Sequence, residues 1–92
     1  DRAGEAITCA QIGIMAAEER RAEEGLRLVT LSAMILKEIG HADLKQVEPW
    51  VDDLASELGY SQDQFDAMYE EIAEAYQRDR GRSLIDAAFG DA

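Results

Sequence analysis

The sequence predicts an all-α fold, a compact bundle of four to five helices, on three observations. Ala, Leu, Glu and Met are abundant while the 92 residues contain one proline, a helix-favouring balance. No stretch alternates apolar and polar residues with period two for long enough to suggest a strand. The segment 26–39 is apolar on most of its circumference, and such a helix belongs in the middle of a bundle. A chain of this length is expected to form one domain over 1–92, burying roughly 60–65% of its unfolded surface. Hydrophobic residues at 47% suit a globular chain and are too many for a disordered one.

The first helix is expected over 4–23, where Ile7, Ala10, Ile14 and Ala17 recur at helical spacing. Cys9, Gly13 and Ala16 flank them, and side chains this small let a neighbouring helix approach closely. The segment then turns polar through 18–24, with Glu19 repelling Glu23 and Arg20 pairing with Glu24. Gly25 is expected to break or bend the chain; the competing arrangement is one helix running straight through to Ile39.

Helix two, over 26–39, carries one stripe of Leu26, Val29, Ala33 and Leu36 and a second of Leu28, Leu31, Ile35 and Ile39. The leftover polar strip is Arg27, Thr30, Lys37 and Glu38. Gly40 supplies a residue able to adopt the left-handed C-terminal cap. Asp43 with Gln46 resembles a capping box, and Leu44, Val47, Val51, Leu54 and Leu58 hold one face across Pro49. Proline inside a helix costs ~3 kcal/mol but little in the first turn, which predicts a short turn at 44–47 and a main helix over 48–58. Gly59 caps that helix, and Ser61 with Gln64 repeats the capping-box signal. A fourth helix over 62–79 buries Phe65, Met68, Ile72 and Ala75 with Tyr69 and Tyr76 beside them, and Gly81 ends it. Ser83 starts a last short helix whose Leu84, Ile85, Ala88 and Phe89 close one end of the core.

The net charge is −11, from 9 basic and 20 acidic residues. The distribution is uneven: 1–40 holds five basic and seven acidic residues, 41–77 one and ten, and 78–92 three of each. A surface of this sign repels a phosphate backbone and an anionic membrane alike. No apolar run reaches the ~20 residues that cross a bilayer. The lone cysteine, Cys9, excludes an internal disulfide framework and makes a cytoplasmic home the default. A start at Asp1 instead of Met implies a removed segment, which keeps a periplasmic or secreted origin open.

Candidate chemistry is thin. His41 follows Glu38 at the Glu-x-x-His spacing of carboxylate-bridged di-iron bundles, but such a site needs a second pair, and Gly40 interrupts this one. A histidine just past a helix C-terminus is accounted for by the helix dipole. The carboxylates Asp52, Asp53, Glu57, Asp63, Asp66, Glu70, Glu71 and Glu74 fall on polar helix faces, where solvation is the ordinary reading and catalysis the exceptional one. Cys9 among Ile7, Ala10 and Ile12 reads as a small buried apolar side chain. No calcium loop, phosphate loop, nucleophile elbow or Cys-x-x-Cys occurs. The expectation is therefore a non-enzymatic domain with no metal and no cofactor.

Trp50 lies beside the Leu44–Val47–Val51–Leu54 stripe and reads either as packing at the core margin or as an anchor for a partner. Together with Asp52, Asp53, Tyr60, Asp66, Tyr69, Glu70 and Glu74 it outlines an aromatic and acidic surface. The expected role is an acidic helical module that binds a protein partner bearing a basic surface, of inhibitor, immunity or adaptor type. The alternative is a self-associating structural protein, a homodimer formed through the Ala- and Gly-rich first helix.

Overall fold

The computed structural model describes residues 2–18 and 21–89. Five helices account for 87% of these residues, with no strand among them. They are α1 (Arg2–Glu18), α2 (Ala22–Ile39), α3 (Leu44–Glu57), α4 (Gln62–Asp79) and α5 (Arg82–Phe89). The radius of gyration is 12.0 Å, matching the ~12 Å of a well-packed chain of this length.

The central position of α2 follows from its sequence. Leu26, Val29, Leu31 and Leu36 are fully buried, and α2 packs against each of the other four helices. Two members of the anticipated pattern sit elsewhere. Thr30, expected on the polar strip, is only 1% exposed, because the side of α2 that it occupies is covered by both α3 and α4. Ile39, expected in the apolar stripe, is exposed at the helix end. Gly40 ends α2 as anticipated, at φ 67°, with the His41 N–H donating to the Leu36 carbonyl at 2.9 Å.

Gly25 does not break the chain. It lies inside α2, which already starts at Ala22. The expected Glu19–Glu23 and Arg20–Glu24 interactions lie outside the described residues; Glu24 pairs with Arg21. Gly25 is needed where α1 crosses α2. A Cβ on Gly25 would stand 2.4 Å from the Gly13 carbonyl oxygen, and one on Gly13 2.7 Å from Val29 Cγ2 and 2.8 Å from the Gly25 carbonyl oxygen. The two backbones therefore touch, and the buried face of α1 is its smallest one: Ala6, Cys9, Ala10, Gly13 and Ala16, with Ile7 and Ile14 only half-buried beside it.

Three further expectations at helix ends are corrected. Asp43 makes no side-chain cap; its backbone N–H instead donates to His41 Nδ1 at 3.1 Å. The third helix does not begin at 48 but runs unbroken from Leu44 with Pro49 inside. The bond that Pro49 removes is the one to the Lys45 carbonyl one turn back, and both residues are exposed, so water can take the place of the missing donor. At the end of α4 the left-handed cap is Arg80 (φ 61°), and Gly81 follows at φ 79°. Gly81 is buried against Leu31, whose Cδ2 would be 2.7 Å from any Cβ there. The Ser61–Gln64 capping box is present in both directions, at 3.2 and 2.8 Å. Leu84 packs on the core, whereas the side chains of Ile85, Ala88 and Phe89 lie outside the described residues.

Candidate functional site: an acidic groove between α3 and α4

Helices α3 and α4 both lean on α2 but splay apart from each other, leaving a groove of about 560 Å³ between them. Its floor comes from α2, where Thr30, Ala33 and Lys37 follow one another at i, i+3 and i+7 on one face. One wall is Leu44, Glu48, Val51 and Asp52 of α3, and the other is Phe65, Asp66 and Tyr69 of α4. A shallower depression of about 390 Å³ continues it past Asp52 and Phe65 toward Ala55, Tyr60 and Gln62.

Apolar surface and carboxylate alternate along this trough. The rings of Phe65 and Tyr69 stand 6.2 Å apart, tilted by 35°. Glu48, Asp52 and Asp66 bring three carboxylates against the single ammonium of Lys37. Among the described residues none of the three forms an ion pair; Asp66 Oδ1 accepts from the Gln62 amide at 2.9 Å. By contrast Glu71 and Glu38 are engaged by Arg27 (3.1 and 3.2 Å) and Arg2 (3.4 Å). Beneath the groove the Thr30 hydroxyl is buried and has no hydrogen-bond partner among the described residues.

Of the residues singled out from sequence, the structure gathers four here: Asp52, Asp66 and Tyr69 in the main groove and Tyr60 in its extension. Asp53, Glu70 and Glu74 are exposed and line neither part. Trp50, 37% exposed, also stands apart: it is two residues from both Glu48 and Asp52, which puts it about 200° around α3 from each. Sequence reasoning missed Glu48, Thr30 and Lys37 as members of the site. The spacing Leu44–Glu48–Val51–Asp52, which sets two carboxylates beside the apolar stripe on one flank, is the signal that marks the wall.

Other chemistry is dispersed. The Glu38 carboxylate meets Arg2, while His41 Nδ1 accepts from the Asp43 backbone and stands 3.7 Å from its carboxylate. Among the described residues no cluster of three His, Cys, Asp or Glu side chains is placed to hold a metal ion. Cys9 is buried, and burial, with Glu5 adding to it, pushes its thiol above the ordinary range, away from nucleophilic character. No helix among the described residues is long and apolar enough to cross a membrane.

Comparison of the chain with protein-family models, curated proteins and solved structures gives no match.

Proposed function

We propose that the protein is a non-enzymatic binding module that docks a basic segment of a protein partner in the groove between α3 and α4. The observation that supports this most is the trio Glu48, Asp52 and Asp66, unpaired with any described cation and set around an apolar trough. Carboxylates placed for solubility alone are indifferent to what lies beside them; these border Leu44, Val51, Phe65 and Tyr69. A partner segment with apolar and basic side chains would satisfy both. Inhibitor, immunity protein and adaptor are all forms of this role. A net charge of −11 argues against a phosphate-backed ligand.

Self-association through α1 is the weaker reading. The small face of α1 is filled by α2 of the same chain, so a dimer built on it requires α2 to be displaced.

The test is capture from a lysate of the native organism with the wild type, an Asp52→Lys/Asp66→Lys variant and a Glu70→Lys/Glu74→Lys variant. The two variants change net charge equally. A partner held by wild type and by the Glu70/Glu74 variant but lost by the Asp52/Asp66 variant is the expected result. Equal loss in both would reduce the effect to bulk charge, and equal retention would remove the groove from the contact.

A further inference from the structure

We propose that the partner segment docked in the groove is an amphipathic helix, its apolar stripe flanked by two Lys or Arg residues four positions apart. This rests on the docking reading above and adds the shape of the occupant and the spacing of its charges.

The walls of the groove favour a helix over an extended segment. Floor and both sides are helical, and no strand occurs among the described residues. Backbone N–H and C=O groups are spent within each helix, so the trough offers no strand edge to which an extended segment could add. Such a segment would lay its own unpaired backbone groups against Leu44, Val51, Phe65 and Tyr69, which is costly. A helix satisfies those groups internally. The length also suits one. The trough and its extension follow α3 from Leu44 to Ser56, a run of about 18 Å that a helix of roughly three turns spans. Apolar surface is left to cover, since Tyr69 is 37% exposed.

The rim sets the spacing of the charges. Glu48 and Asp52 are four residues apart on α3, about 6 Å along its axis, and Asp66 lines the opposite wall. Two basic side chains four apart on a helix lying along α3 rise by the same step, which puts one beside each α3 carboxylate while the apolar stripe meets Phe65 and Tyr69. A second copy of this chain does not supply such a helix. Its one pair of Lys or Arg residues at that spacing, Arg78 and Arg82, is divided between α4 and α5 by the left-handed residues Arg80 and Gly81. The occupant is therefore a different protein.

The experiment is an amide-resolved NMR titration of the full chain with synthetic peptides of equal charge, each about four turns long if helical. The first carries a leucine stripe flanked by two arginines four apart. The second has the same composition with the arginines moved to the face opposite the leucines. The third is the first with a central proline, which breaks the helix. The first peptide is expected to move the amides of Ala33, Glu48, Asp52, Asp66 and Tyr69 and to bind about tenfold or more tightly than either of the others. Asp52→Lys/Asp66→Lys should weaken the first peptide about tenfold while keeping the wild-type amide dispersion of a folded chain.

Equal binding of the proline-broken peptide overturns the helical occupant, and equal binding of the peptide with displaced arginines overturns the spacing; either result leaves a docking groove in place. A first peptide that moves no amide of the groove also overturns the inference, and the docking reading is then decided separately by the capture experiment.

Discussion

At the scale of single residues, the two groups with the clearest chemical identity are His41, half-buried, and Cys9, buried. His41 uses Nδ1 to accept the Asp43 N–H, which ties the end of α2 to the start of α3. Cys9 sits on the small face of α1, and burial raises its thiol above the ordinary value of 9.0. The folded state therefore holds the thiol proton more tightly than the unfolded state does. The stability that this contributes is complete below the ordinary thiol range and is lost as pH rises from that range through the higher value of the folded protein. Thermal unfolding of wild type and Cys9→Ala, followed on both sides of pH 9.0, should show wild type losing stability on the alkaline side relative to the variant. A disulfide reagent should label Cys9 only as fast as the native chain opens.

At the scale of elements, the sequence was most legible where a local signal decides the outcome. The glycine cap at Gly40, the Ser61–Gln64 box and the apolar stripe of α3 all depend on residues within a turn or two of each other. It was least legible where a neighbour decides. Gly25 carries the composition of a helix break, but its role is set by Gly13, twelve residues earlier, across the α1–α2 crossing. Asp43 looked like a cap until His41 took its backbone N–H. Thr30 looked solvent-facing because only the assembled bundle brings two helices over it.

Two substitutions are expected to act in opposite directions. Gly25→Ala inserts a methyl group where 2.4 Å separates it from backbone oxygen, so it should destabilise by about 2–3 kcal/mol or more. Pro49→Ala restores the bond to the Lys45 carbonyl on an exposed stretch of α3 and should stabilise by about 2 kcal/mol. Urea unfolding midpoints with unchanged slope check both.

At the scale of the whole molecule, the acidic block in 41–77 becomes a shape. Reading the charge by segment located the acidic half of the chain but not the side of each helix that carries it. Asp52 and Asp66 face a shared groove while Asp53, Glu70 and Glu74 do not. That distinction depends on how α3 and α4 splay over α2, which no spacing within either helix encodes. Once assembled, an excess of carboxylates around an apolar trough should act at a distance as well as in contact, drawing a basic partner inward before short-range packing begins.

That central claim is tested most directly by the association rate of the captured partner measured by stopped flow across ionic strength. The account expects the rate to fall about tenfold or more between low and physiological salt, and Asp52→Lys/Asp66→Lys to flatten most of that dependence. A wild-type rate that is the same at both salt concentrations would contradict it.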